Sequence, residues 1–145
     1  VQSDASIALT ATGGIFDADE ASVDLMAPEV SLNAVSGIGR NGTGALEIDT
    51  DQLELTNTAA GSVYLNLLST TTLAGVHLEG PGSLLVNQSP GDLTVKETLG
   101  VADGSVVLHS SGALVIEEEI SAGTSLRTVS DSLEVKGATL AAGTG

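Results

Sequence analysis

The sequence predicts an all-β chain: a right-handed parallel β-helix (β-solenoid) of about six coils, with 19–25 residues and three short strands per coil. Three observations predict it. Apolar residues return at near-constant spacing along the chain. The runs that hold them are short, alternating and rich in Val, Ile, Leu and Thr, with Gly, Ser, Asn and Pro corners between them. No segment shows a helical period with caps; the nearest, Ala113 to Ala122, is β-branched and lies between Gly112 and Gly123.

The first period sets the plan. Ser6-Ile7-Ala8-Leu9-Thr10 alternates as a strand, and Thr12-Gly13-Gly14 is a corner. Ile15-Phe16 is a second, very short strand, followed by the polar corner Asp17-Ala18-Asp19-Glu20. Ser22-Val23-Asp24-Leu25-Met26 is the third strand, and Pro28, which has no ladder donor, sits where the chain must bend. The next period repeats this with Val30-Ser31-Leu32, Gly37-Ile38-Gly39 and Leu46-Glu47-Ile48, and the pattern continues to Leu133-Glu134-Val135-Lys136. A Ser-Thr run at residues 69–72 blurs it once.

Three series of apolar positions follow. The first is Ile7, Val30, Leu53, Val76, Leu99, Ile120 and Leu140, with steps of 23, 23, 23, 23, 21 and 20. The second is Ile15, Ile38, Val63, Leu84, Val106 and Leu126. The third is Val23, Leu46, Leu73, Leu93, Leu114 and Leu133. A left-handed hexapeptide helix would need strict sixes, and a leucine-rich repeat would need a helical segment and a fixed Asn. An immunoglobulin-like sandwich explains the strands but not the period, and the chain has no Trp to bury.

Equivalent residues on successive parallel coils lie about 4.8 Å apart, so six coils make a rod about 30 Å long. Each coil buries its apolar stripe only by covering the next, which makes the end coils liabilities. Neither end of the sequence reads as a cap. Residues 1–145 are therefore expected to be one solenoid domain, a segment of a longer rod or a unit that stacks end to end.

Composition narrows the function classes. Only Phe16 and Tyr64 are aromatic, so the core is narrow and aliphatic. Nineteen acids against four bases give a net charge of −15, which repels phosphates and argues against nucleic acid and anionic membranes. No apolar run is long enough to insert in a membrane. There are no cysteines, so disulfides and thiolate metal sites are excluded, and Val1-Gln2-Ser3-Asp4 does not read as a signal peptide.

Outward positions carry the candidate sites. Asp24 and Glu47 fall on neighbouring coils of the third face, where they repel or share Ca²⁺; Asp17 and Asp19 offer further oxygen ligands. None of these matches an EF-hand loop or a calcium-binding nonapeptide. Calcium is expected at most as a loosely bound ion, and no cofactor is expected. On the second face the outward residues read Phe16, Gly39, Tyr64, Leu85, Val107 and Arg127; Phe16, Tyr64, Leu85 and Val107 make an apolar interaction face. On the third face Lys96, Glu117 and Lys136 stack as alternating charges. His77 and His109 lie on different faces and do not pair, and the chain has short corners and few bases, so no catalytic residues are assigned and no enzyme is expected. Asn41-Gly42-Thr43 and Asn87-Gln88-Ser89 match the glycosylation triplet, a pattern that arises readily by chance.

The phrases Gly61-Ser-Val-Tyr-Leu-Asn, Gly91-Asp-Leu-Thr-Val, Gly104-Ser-Val-Val-Leu and Ser111-Gly-Ala-Leu-Val-Ile resemble the repeats of large bacterial exoproteins, as does Ala27-Pro-Glu-Val-Ser-Leu-Asn-Ala with Gly37-Ile-Gly. The family is the filamentous-haemagglutinin-like adhesins. The resemblance covers most of the chain and specifies fold more than activity. It implies a right-handed β-helix on a bacterial cell surface or outside the cell, serving as a stalk, adhesin or fibre, whose partners are itself, flanking segments, or a host or cell-surface glycan or protein. The other reading is a carbohydrate-binding or polysaccharide-cleaving β-helix.

Overall fold

Every strand in the computed structural model, which describes residues 1–18 and 22–143, pairs in parallel with the strand about one period away. In chain order these are β1 (Ser6–Thr10), β2 (Leu25–Met26), β3 (Glu29–Ala34), β4 (Leu46–Asp49), β5 (Gln52–Asn57), β6 (Val63–Leu67), β7 (Thr71–Leu78) and β8 (Leu84–Gln88). They continue as β9 (Leu93–Val95), β10 (Leu99–Val101), β11 (Ser105–Ser110), β12 (Ala113–Ile116), β13 (Ile120–Ala122), β14 (Ser125–Val129), β15 (Ser132–Val135) and β16 (Leu140–Ala142). The one helical element among the described residues is a 3₁₀ turn at Gly42–Gly44. The expected β-solenoid of about six coils is what the chain forms, and among the described residues no helix is long and apolar enough to cross a membrane.

Two sheets run along the stack. The first follows β1-β3-β5-β7-β10-β13-β16, and the second follows β2-β4-β6-β8-β11-β14. The first sheet divides at β7: its opening residues pair with β9 and its closing residues with β10. Strands β9, β12 and β15 thus form a third ladder that exists only from β7 onward. The early coils carry one strand where the later coils carry two with a corner between them.

The second apolar series is a single inward column. Ile15, Ile38, Val63, Leu84, Val106 and Leu126 are successive partners. The first series is two columns. Ile7, Val30 and Leu53 lead to Leu73, Val95, Ile116 and Val135. Val76, Leu99, Ile120 and Leu140 belong instead to the column of Leu9, Leu32 and Leu55. The cause is a register shift after Leu53, where Leu53 faces Leu73 but Glu54 faces Gly75 and Ala74 is the extra residue. The chance step of 23 from Leu53 to Val76 hid the shift.

The third series is also corrected. Leu93, Leu114 and Leu133 form a column, but it opens on Thr71, not Leu73. Leu46 pairs with Leu65 in the second sheet, and Val23 lies beside the β2–β4 pair of that sheet. Asp24 and Glu47 consequently lie on the second sheet and not on a third face.

The core holds Leu, Val, Ile and Ala stacked on their own kind, with Leu53, Leu65, Leu84, Leu99 and Leu108 fully buried. Fully burying one such side chain contributes roughly 1.5–3 kcal/mol, and here each does so only through the coils above and below. Polar side chains occupy the inner corners. Thr71 Oγ1 lies 2.8 Å from the Thr50 carbonyl, and Ser110 Oγ lies 3.0 Å from Gln88 Oε1. At the other corner Asn57, buried, accepts from the Gly37 N–H at 2.8 Å and donates to the carbonyls of Ala59 and Gly61. These side chains satisfy backbone groups that the turning chain cannot pair with itself.

Candidate cation site and the outer face of the second sheet

Strand β4 alternates Leu46-Glu47-Ile48, and because Leu46 and Ile48 are buried, Glu47 projects outward. One coil earlier, Asp24 precedes β2 and is locked beside it. The Glu47 N–H donates to Asp24 Oδ2 at 2.9 Å, and the Asp24 N–H donates to the Glu47 carbonyl at 3.0 Å. Asp17, from the corner after Ile15, completes a group of three: one carboxylate oxygen from each of Asp17, Asp24 and Glu47 lies within 4.8 Å of the others. Asp19, the fourth expected ligand, lies outside the described residues.

The two oxygens of Glu47 differ. Oε1 accepts from Asn66 Nδ2 on the next coil at 2.8 Å. Oε2 has no exposed surface and no hydrogen-bond partner. Buried carboxylate oxygens are ordinarily satisfied, so this one stands out. Neither Asp24 nor Glu47 forms an ion pair; among the described residues the ion pair is Lys136 with Glu117, at 3.0 Å on the third ladder.

The same crowding raises the pKa of Asp24 from 3.8 to about 6. Burial is the largest cause; the Glu47 N–H acts against it, and Asp17, by charge and by a hydrogen bond, adds to the rise together with the Glu47 charge. The folded state therefore binds a proton that the unfolded chain has released. The penalty on ionised Asp24 is fully present above about pH 6 and is lifted as pH falls toward 3.8. In metal-free buffer the melting temperature is expected to rise between about pH 7 and pH 5, and Asp24→Asn is expected to flatten that rise. An equal rise in wild type and variant would contradict it.

The expected apolar face is assembled in part. Tyr64, Leu85 and Val107 are successive partners, all half-buried on the outer side of the second sheet. Phe16 stands apart. Gly39 occupies the intervening coil and has no side chain, and a Cβ there would run into the Tyr64 carbonyl. The Phe16 ring folds over Gly14 instead and carries the Arg40 guanidinium 4.7 Å above its centre.

Beside the Tyr64 column runs a polar one that sequence reading missed. Glu47, Asn66, Asn87 and His109 form a chain of side-chain contacts across four coils, with His109 Nδ1 2.6 Å from Asn87 Oδ1. The signal was present as equal spacing, since Asn66, Asn87 and His109 each stand two residues after a member of the Tyr64 column. The Tyr64 column and Asn66, Asn87 and His109 of the polar one line a shallow groove of about 330 Å³ that also touches Asn41 beside the 3₁₀ corner. His77 is exposed on the first sheet, so the histidines do lie on different faces.

Comparison with known proteins finds no matching family model, no matching curated protein and no matching solved structure.

Proposed function

We propose that this chain is a non-enzymatic structural or adhesive module of a bacterial cell-surface or extracellular protein: a rigid acidic rod that works through its long side faces and through stacking of its coils. The carrying observation is the continuity of the inward columns. From β7 onward they run in unbroken register, and at the last coil their members stay open, with Leu133 48%, Val135 39% and Leu140 37% exposed. Strand β16 presents an unpaired edge beside them. A further coil in the same register, from a flanking segment or a second copy, fits such a surface. The resemblance of the repeat phrases to those of filamentous-haemagglutinin-like adhesins supports the same reading, as does a surface charge that keeps long rods apart.

Sedimentation and electron microscopy across concentration test this. The expected result is rods that lengthen with concentration, with a diffraction spacing of about 4.8 Å along the axis. Leu133→Asp with Leu140→Asp is expected to abolish lengthening while the single rod stays folded. Strict monomers at millimolar concentration would remove self-stacking from the proposal. A second reading, carbohydrate binding, is favoured by one feature: Tyr64 lies in a groove beside Asn66, Asn87 and His109, an aromatic with hydrogen-bonding neighbours. Saturable binding of a soluble glycan, lost in Tyr64→Ala, would support it.

A further inference from the structure

We propose that Asp17, Asp24 and Glu47 form a calcium site that fastens the first coil to the second. Two independent observations carry it. The first is the grouping: carboxylate oxygens from three separate positions, two on the first coil and one on the second, lie within 4.8 Å of one another. The second is Glu47 Oε2, an oxygen shielded from solvent with no hydrogen-bond donor. Its sister oxygen is already held by Asn66, so the carboxylate is oriented and only one oxygen is left wanting a positive partner.

The chemistry selects a hard cation. All three ligands are carboxylates, without nitrogen or sulfur, which suits Ca²⁺ or Mg²⁺ over transition metals. Ca²⁺ accepts several carboxylates in a flexible sphere, whereas Mg²⁺ dehydrates reluctantly, keeps several waters and binds through one or two carboxylates. Three carboxylates gathered within 4.8 Å therefore suit Ca²⁺; water would complete the coordination.

The position gives the ion a task. Here the first coil is thinly held: β2 has two residues, Leu25 and Met26, and Ile15 meets Ile38 through a single bridge. A cation bridging Asp17 and Asp24 to Glu47 ties both segments to β4. It converts mutual repulsion of three carboxylates into a cross-link between coils.

Isothermal titration of the full chain with CaCl₂, paired with amide hydrogen exchange, tests the proposal. The expected result is one saturable calcium per chain, with exchange in residues 22–26 slowed at least about tenfold in 1 mM Ca²⁺. Glu47→Gln and Asp17→Asn are each expected to weaken binding at least about tenfold, while Glu54→Gln on the first sheet leaves it unchanged. Two substitutions keep the test open if one fails to fold by circular dichroism. Unsaturating uptake that is equal in wild type and both variants would be counterion condensation on a chain of net charge −15, and would overturn the site. Mg²⁺ binding as tightly as Ca²⁺ would overturn the calcium assignment.

Discussion

Gly104→Val is expected to disrupt the middle of the stack, lowering stability by about 3 kcal/mol or more and the melting temperature by roughly 10 °C. Gly61, Gly82 and Gly104 stand one above another on successive coils, each just before a strand of the second sheet. A Cβ on Gly104 would lie well inside contact distance of the Gly82 carbonyl oxygen, and a Cβ on Gly82 would meet the Gly61 carbonyl in the same way. The obstacle is backbone on a neighbouring coil, so no rotamer change relieves it. Strand spacing would have to open, and with it the hydrogen bonds of β8, β11 and β14. Gly13→Ala is the control, because nothing lies within 4 Å of its Cβ position. It is expected to change stability by less than about 0.5 kcal/mol. Thermal unfolding followed by circular dichroism separates the two. Equal melting temperatures for Gly104→Val and wild type would mean that the coils do not approach this closely.

Gln88→Leu is expected to cost about 2–4 kcal/mol although it places a more apolar residue in the core. Gln88 is fully buried at an inner corner. Its Nε2 donates to the Ser69 carbonyl at 2.8 Å and to the Pro90 carbonyl at 2.6 Å, and its Oε1 accepts from Ser110 Oγ at 3.0 Å. Leucine leaves both carbonyls without that donor. Ser110 is less affected, because its hydroxyl also lies within reach of the Gly91 and Ala113 carbonyls. Hydrogen exchange should show the loss centred on the coils that contain residues 69, 88 and 110, since each coil leans only on its neighbours. A neutral or stabilising effect in urea denaturation would contradict the role assigned to this corner.

Much of this molecule is legible in its spacing, because stacking converts a sequence interval of about one period into a contact. Ile15 through Leu126 read correctly as one column because each member is apolar and the intervals stay near constant. Asp24 and Glu47 are neighbours for the same reason. Where reading failed, the cause was physical. Apolar periodicity cannot see Thr71, Gln88 or Ser110, which take inward positions as polar residues because corner carbonyls need donors. It cannot see the extra residue at Ala74 either, because Val76 stands 23 residues from Leu53 and imitates the regular step. The role of Gly39 in separating Phe16 from Tyr64 was hidden likewise; a glycine in an outward series reads as a gap, whereas here it admits the neighbouring backbone.

Residues about one period apart are stacked neighbours in parallel register. Because the chain has no cysteine, paired substitutions measure this without background. Leu85 and Val107 are direct partners on the outer face of the second sheet, whereas Tyr64 and Val107 are two coils apart, at about 9.6 Å. A disulfide spans Cα atoms roughly 4.4–6.8 Å apart. Under mild oxidation Leu85→Cys with Val107→Cys is expected to form an intramolecular disulfide in high yield, and Tyr64→Cys with Val107→Cys is expected to stay reduced. A disulfide in the second pair and none in the first would contradict the stacked register.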